Sequence, residues 1–241
     1  MIVQIEVSLV EDINDWQLKF ETCAYSEKLL SKIILKNETQ NQSVDVSEVK
    51  KAIYYAKKYH GKQMRKSGEP YYSHPLEVAC KVADYLFKTN IIVICILHDT
   101  LEDTNLTFSM IVDIFSRDIA EQVNDLTRIK SDRKISSAEM VETLWLEKKY
   151  DLLLIKLFDR LHNMQTIQAM SKEKAQKTID ETLKYFLVLS EMMKLPKLSD
   201  YLYNECHKAN VISGVVVGTD YAFDKQFILP DLPDFENVPS L

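Results

Sequence analysis

A run of seven apolar residues, 91–97 (Ile-Ile-Val-Ile-Cys-Ile-Leu), ends directly at His98 and Asp99. The run is far too short to span a bilayer, so it predicts a helix buried on nearly all sides in a core. Burying an imidazole and a carboxylate is unfavourable unless something compensates for them. A divalent metal ion is the simplest compensation, because both groups are good metal ligands.

The rest of the sequence is typical of an all-α protein. It has 241 residues, is 46% hydrophobic and contains four glycines, too few for a Gly-rich phosphate loop. Scarce glycine with many Leu, Ile, Lys and Glu favours helices. Residues 1–10 and 211–218 instead resemble short strands, which are expected to pair. Apolar spacing and capping residues predict helices within 15–35, over about 45–60, 75–86, 91–98, 107–115 and 118–129, from 136, and over about 150–168, 172–194 and 198–209.

Charge and cysteine usage exclude several classes of protein. The net charge of −6 argues against broad nucleic-acid binding, and no apolar run is long enough for membrane insertion. The four cysteines are scattered, and the apolar, helix-like segments around Cys80 and Cys95 predict buried free thiols rather than disulfides or zinc ligands. The N-terminus does not resemble a secretory signal, so a cytoplasmic location is expected. The oligomeric state is left open.

Two further residues strengthen the metal-site hypothesis. His74 lies upstream of His98-Asp99, where Pro75 predicts a helix start, and Asp159 lies downstream in a predicted helix. The four side chains form a mixed nitrogen and oxygen donor set, which suits a catalytic manganese, iron or zinc ion with open positions. Hydrolysis of a phosphoester or pyrophosphate is the natural reaction class. A buried Asp159 could also be paired with Arg160.

Acidic residues follow the His-Asp pair. If the helix continues, Glu102 lies one turn from His98 and Asp103 one turn from Asp99. Beside a metal, these carboxylates are placed to orient or deprotonate a water molecule. The alternative is a charged helix end capped at Thr104.

Other polar residues near these motifs have weaker indications. Asn163 lies one turn after Asp159, where it could reach a bound substrate. His162 is expected to pack or to contact residues that bind the metal or the substrate. His60 is expected to orient the following loop, and His207 to lie on the surface. The basic cluster within 57–66 is either a solvated helix end or an anion-binding segment.

Three blocks of the chain are distinctive: residues 60–75 (His-Gly-Lys-Gln-Met-Arg-Lys-Ser-Gly-Glu-Pro-Tyr-Tyr-Ser-His-Pro), 97–104 (Leu-His-Asp-Thr-Leu-Glu-Asp-Thr) and 155–164 (Ile-Lys-Leu-Phe-Asp-Arg-Leu-His-Asn-Met). Together they closely resemble the hydrolase domain of the RelA/SpoT alarmone family, a branch of the HD-domain metallophosphohydrolases. The resemblance covers about 48–195. It implies a helical bundle with a metal site between helices, and a manganese-dependent enzyme that removes the 3′-pyrophosphate from guanosine tetra- and pentaphosphate.

The resemblance also implies roles for individual residues. The matches to the metal ligands are His74, His98, Asp99 and Asp159. Glu102 and Asp103 match the acidic pair that acts near the attacking water. The positions that match the nucleotide-binding residues are Arg65, Lys66, Ser67, Tyr71, Asn163 and Thr166.

Some features depart from the family pattern. Phe158 stands where a small residue is usual, and Gln165 where Arg is frequent. The synthetase domain that normally follows in the family is expected to be absent, so synthesis of the alarmone is not expected. The expected organisation is an extension at 1–44, the hydrolase domain at 45–196, and a tail at 197–241. Two alternatives remain open: hydrolysis of another nucleotide, and a truncated paralogue that binds the alarmone as a regulatory module without cleaving it.

Overall fold

The computed structural model describes residues 15–129 and 133–213, and within these ranges the protein is helical and has no β-sheet. The predicted all-α class is confirmed. Residues 15–19 are helical. The further helices are α1 (Ala24–Thr39), α2 (Val46–His60), α3 (Ser73–Val82), α4 (Thr89–Leu97), α5 (Thr100–Asp103), α6 (Phe108–Ile114), α7 (Arg117–Leu126), α8 (Ser137–Leu146), α9 (Tyr150–Gln165), α10 (Lys172–Glu181), α11 (Leu187–Met192) and α12 (Pro196–Ser213).

The chain divides into two compact units. The first comprises residues up to 63 together with 70–133, and the second comprises 64–69 together with the residues from 134 onward. The domain boundaries predicted at residues 45 and 196 stay predictions.

Side-chain caps begin several helices where the sequence predicts them. Asp45 Oδ1 accepts hydrogen bonds from the backbone N–H groups of Ser47 and Glu48 at the start of α2. Thr107 and Ser136 cap α6 and α8 through their hydroxyl oxygens. Each such cap satisfies an N–H that the helix itself leaves unpaired, a contribution of about 1 kcal/mol.

Helix α4 is the centre of the first unit, where it packs against α2, α3 and α7. Every residue of 91–97 is buried, with at most 5% of its surface exposed. Full burial of such a side chain contributes roughly 1.5–3 kcal/mol relative to exposure. The apolar run is therefore a core helix, as predicted, and its C-terminal end is fixed in place by packing on several sides.

Helix α4 ends at Leu97, one residue before the predicted end, and it does not continue through His98 to Asp103. His98 Nδ1 donates to the carbonyl oxygen of Cys95 at 2.7 Å, and Thr100 Oγ1 donates to that of Leu97 at 2.7 Å. These hydrogen bonds provide partners for carbonyl groups that the end of the helix leaves unpaired. A new single turn, α5, then carries the acidic residues.

The second unit is built around α9, which packs against α8 and α12. The region predicted as one helix at 172–194 contains a π-helical turn at Thr182–Phe186 and ends at Met192. Pro196 then begins α12, where its missing N–H costs nothing. One apolar cluster of this unit consists of Met164, Ile167, Ile179, Leu183, Cys206 and Ala209.

The remaining predictions concern the termini and the cysteines. The strand predicted at 1–10 lies outside the described residues. Residues 211–213 belong to α12, so the strand prediction is wrong there, because helix context overrides the weak β-propensity; 214–218 lie outside. The cysteines are free, and Cys80 and Cys95 are buried, as predicted; Cys206 is also buried, whereas Cys23 is partly exposed. Among the described helices, none has the length and apolarity required to cross a bilayer.

Candidate metal centre

Three of the predicted metal ligands meet in the first unit. His74 lies in the first turn of α3 and is 3% exposed, and His98, directly after α4, is 1% exposed. His74 Nε2 lies 3.6 Å from Asp99 Oδ2, and His98 Nε2 lies 3.1 Å from Asp99 Oδ1. One ligand atom from each residue lies within 4.8 Å of the others. The structure thus forms a candidate metal-binding triad.

The chemistry of these donors fits a divalent cation. Because Nδ1 of His98 donates to a backbone carbonyl, Nε2 is the atom of this ring that can offer a lone pair to a cation beside the Asp99 carboxylate. A lone pair on His98 Nε2 and the Asp99 Oδ1 oxygen, 3.1 Å apart, would repel each other unless a proton or a cation lies between them. The backbone hydrogen bond also orients the ring, as is usual for histidines that bind metals.

The two acidic residues of α5 have different partners. Glu102 Oε2 accepts from the backbone N–H of Arg128 at 3.2 Å, and Glu102 Oε1 lies 3.6 Å from the Arg128 guanidinium. Asp103 Oδ2 instead accepts from the Tyr71 hydroxyl at 2.6 Å. Tyr71 was expected to contact the nucleotide, and Arg128 was missed, since no motif marks it. In the sequence Glu102 and Asp103 look like an equivalent pair, but in the fold they have different partners.

The environment of Asp103 favours its protonated form. Burial raises the pKa of this carboxyl, and the charges of Asp99 and Glu102 raise it further. The hydrogen bond from Tyr71 acts in the opposite direction, because it stabilises the ionised form. A carboxylate with a raised pKa is a better proton acceptor than an ordinary aspartate.

Asp159, the fourth predicted ligand, lies in the second unit and is 8% exposed. Its Oδ1 accepts from Asn163 Nδ2 at 2.7 Å, and its Oδ2 pairs with Lys156 Nζ at 2.7 Å. Lys156 was missed, although it stands three residues earlier on the same helix face. The metal-ligand role of Asp159 stays a prediction.

Arg160, which one alternative paired with Asp159, has partners on other helices. Its guanidinium contacts Glu181 Oε2 at 3.1 Å and Ser137 Oγ at 3.2 Å, and lies 4.1 Å from the centre of the Phe186 ring. Successive residues of an α-helix point about 100° apart, since one turn takes 3.6 residues. Asp159 and Arg160 therefore face different neighbours.

Three predicted substrate-binding residues come together in the second unit. Arg65 Nη2 donates to Thr166 Oγ1 at 3.0 Å and to Asn163 Oδ1 at 3.3 Å, while Arg65 Nη1 lies 3.3 Å from His162 Nδ1. His162 was expected to pack or to contact residues that bind the metal or the substrate. The group consists of one cation surrounded by polar side chains, which is a suitable arrangement for contact with an anion.

Arg65 is held at the start of a tight turn. Its backbone N–H donates to the carbonyl of Glu69 at 2.8 Å, and its carbonyl accepts from Gly68 N at 3.0 Å. Gly68 has a φ of +96°, which favours glycine. Lys66 and Ser67 are exposed on this turn, and the Ser67 hydroxyl donates to the Glu69 carboxylate. Their predicted contact with the nucleotide stays a prediction.

The residues that depart from the family pattern occupy ordinary positions. Phe158 has no exposed surface and lies in the core of the second unit. Gln165 is exposed at the end of α9. His207 is exposed, as predicted.

The comparisons with known proteins agree with this structure. A profile of the family described as HD domain matches residues 52–191. The chain belongs to the HD-domain family. Its homology to RelA/SpoT proteins confirms the resemblance found in the sequence, and proteins with HD domains are metal-dependent.

Two curated proteins are similar in sequence to this HD-domain chain. A GTP pyrophosphokinase rsh of Brucella ovis is 38% identical over 176 residues, which are 70% of this chain and 24% of that protein. A guanosine-3′,5′-bis(diphosphate) 3′-pyrophosphohydrolase of Aquifex aeolicus is 36% identical over 191 residues, which are 78% of this chain and 24% of that protein. The chain thus spans about a quarter of the length of these relatives.

One solved structure has a similar fold. It is a metazoan ortholog of SpoT, a protein described as hydrolysing ppGpp and acting in starvation responses. The TM-score is 0.50 at 20% sequence identity, and the match covers 73% of this chain and 100% of that one. At this identity the similarity establishes the HD-domain fold.

Proposed function

We propose that this HD-domain protein removes the 3′-pyrophosphate from guanosine tetra- and pentaphosphate, yielding GDP or GTP and pyrophosphate. The observation that carries the proposal is the triad of buried His74 and His98 with partly buried Asp99, in the same unit as Glu102 and Asp103. The names of relatives such as the Aquifex aeolicus pyrophosphohydrolase support this substrate. A cytoplasmic location stays a prediction.

The proposed metal ligands are His74, His98, Asp99 and Asp159, and the proposed ion is Mn²⁺. The triad supports the first three positions, whereas the order of motifs in the sequence supports Asp159. When bound, a divalent cation lowers the pKa of water and neutralises phosphate charge. A set of two imidazoles and two carboxylates suits a catalytic ion of intermediate softness, whereas structural zinc sites prefer thiolate ligands.

Asp103 is the proposed general base. The oxygen of a water molecule attacks the phosphorus attached to the ribose 3′ oxygen, and Asp103 accepts the proton that the water loses. The bond between phosphorus and the 3′ oxygen breaks, and this oxygen takes a proton from the solvent and leaves as the 3′-hydroxyl. Asp103 then returns the proton that it accepted to the solvent. Glu102, which lies on the same helical turn and pairs with Arg128, adds negative charge and helps to orient the attacking water.

The nucleotide is bound by basic and polar side chains. Arg65 has the strongest case, because Asn163 and Thr166 already hold its guanidinium with a defined orientation. Such an orientation reduces the entropy lost when phosphate oxygens are bound. The other proposed contacts are Lys66, Ser67 and Tyr71. Local positive charge attracts a polyphosphate although the chain as a whole is acidic.

The decisive experiment is incubation of the purified chain with guanosine tetraphosphate and manganese. Release of GDP and pyrophosphate is expected, and EDTA should abolish it. A parallel panel should contain GDP, GTP and a nucleotide with a single 3′-phosphate. If neither guanosine tetraphosphate nor any nucleotide of the panel is turned over with manganese, iron, zinc or cobalt, the protein is not the proposed hydrolase. Preference for a nucleotide without the 3′-pyrophosphate would indicate a different substrate.

Replacing Arg65 by alanine is expected to weaken substrate binding more than it slows the chemical step. The variant loses a fixed cation, and a hydrogen bond to a charged group is worth roughly 1.5–3 kcal/mol, so KM should rise about 10-fold or more. Steady-state kinetics measure this. Arg65→Lys is the matched variant, since it keeps the charge without the planar fork and should be intermediate. An unchanged KM for both variants would remove Arg65 from the binding site.

Replacing Tyr71 by phenylalanine is expected to shift the acidic limb of the kcat profile to higher pH. The hydroxyl lowers the pKa of Asp103 in the intact protein. Without it, the pKa of Asp103 rises further, so the ionised base is lost at a higher pH as the solution is acidified. The pH dependence of kcat in both proteins tests this. A limb that stays in place, or moves to lower pH, contradicts the role of Asp103 as base.

A further inference from the structure

A histidine outside the predicted ligand set connects to the acidic turn. His60, the last residue of α2, is 1% exposed, and its Nδ1 lies 2.8 Å from Gln63 Oε1. An amide oxygen only accepts, so His60 Nδ1 carries the proton. Burial lowers the pKa of His60, which favours the neutral ring. Gln63 Nε2 then donates to the backbone carbonyl of Asp103 at 2.8 Å.

Tyr71 closes the connection from the other side. Its ring stacks on the His60 ring with centroids 4.7 Å apart and planes 22° apart. Its backbone N–H donates to the Gln63 carbonyl at 2.9 Å, and its hydroxyl donates to Asp103 Oδ2. The four residues His60, Gln63, Tyr71 and Asp103 therefore form a closed ring of contacts, which we call the Asp103 support.

The Asp103 support holds Asp103 at two points: Gln63 binds its backbone carbonyl, and Tyr71 binds its carboxylate. Within the described chain, hydrogen bonds to Asp103 as acceptor involve its backbone carbonyl and Oδ2. Helix α5 is a single turn of four residues, and so short a helix is marginal without tertiary contacts.

We propose that His60 and Gln63 are positioning residues for Asp103. The inference rests on the proposed function, in which Asp103 is the base. Gln63 anchors the carbonyl of Asp103, and His60 orients both the Gln63 amide and the Tyr71 ring. A displacement of the base by 1 Å can cost about 100-fold in rate, so residues that touch no substrate can still control turnover.

Two substitutions test the Asp103 support. His60→Phe keeps a flat ring beside Tyr71 and removes the Nδ1 donor, whereas Gln63→Leu removes both amide contacts. Each should lower kcat by about 10- to 100-fold, with KM and the manganese affinity measured by calorimetry unchanged. The double variant should lose no more than the larger single loss, because both act through one ring of contacts.

Thr107→Ala is the matched control for stability. It removes the cap of α6 in the same unit, at a cost of about 1 kcal/mol, and its kcat should equal that of the wild type. If the kcat losses of His60→Phe and Gln63→Leu are no larger than that of Thr107→Ala at equal thermal destabilisation, the two residues are only structural and the inference is wrong.

A readout independent of turnover separates this inference from the proposed function. Crystal structures of Gln63→Leu and the wild type should differ at Asp103, with the carboxylate moved away from the Tyr71 hydroxyl and the His74, His98 and Asp99 side chains in place. If the wild type hydrolyses none of the nucleotides, the proposed function fails and these structures alone decide the positioning role. An unmoved Asp103 carboxylate in Gln63→Leu overturns it.

Discussion

Replacing Asp99 by asparagine is expected to abolish metal binding and hydrolysis together. Asp99 is the carboxylate that faces both imidazoles, 3.6 Å from His74 Nε2 and 3.1 Å from His98 Nε2. Asparagine keeps the shape but removes the negative charge that holds a cation. The loss should exceed the roughly 10- to 100-fold that is typical when only a hydrogen-bond partner of a ligand is changed. Calorimetry with manganese and the rate of pyrophosphate release measure the two effects.

Asp84→Asn is the matched control for this substitution. Asp84 lies in the same unit and pairs with Lys32 and Lys36, so its replacement removes an equal charge away from the triad. It should leave manganese affinity and rate close to those of the wild type. If Asp99→Asn retains both properties, the triad does not hold the catalytic metal, and the proposed function loses its physical basis.

Replacing Asp103 by asparagine is expected to preserve the metal and remove most of the rate. The amide oxygen can still accept from the Tyr71 hydroxyl, so the fold of α5 is retained. The amide cannot accept a proton from water, and loss of a positioned general base typically costs 10²- to 10⁴-fold. Single-turnover kinetics with saturating manganese, together with calorimetry, distinguish a lost base from a lost metal.

Glu102→Gln provides the comparison within the same turn. It should also keep the metal and lower the rate, but by less than Asp103→Asn, because Glu102 is paired with Arg128. Full rate in Glu102→Gln removes Glu102 from the mechanism. A larger loss than in Asp103→Asn exchanges the roles of the two acids.

Local signals in the sequence correctly predicted most of the helices. The apolar run 91–97, the caps at Asp45, Thr107 and Ser136, and the periodicity of 150–168 depend on neighbours within a few residues. Two details of the helices were not predicted. Leu97 ends α4 because side chains bind its last carbonyl groups, and the helix predicted at 172–194 contains a π-helical turn.

The sequence by itself determined the helical class, the buried helix leading to His98-Asp99, and the set of candidate ligands, because these follow from residue type and short spacing. Only the tertiary structure decided the partners. It brought His74 to Asp99, turned Glu102 to Arg128 and Asp103 to Tyr71, and connected His60 through Gln63 to the same turn. The physical reason is that a side chain's partner depends on how helices pack, and packing is a property of the whole core rather than of any one segment.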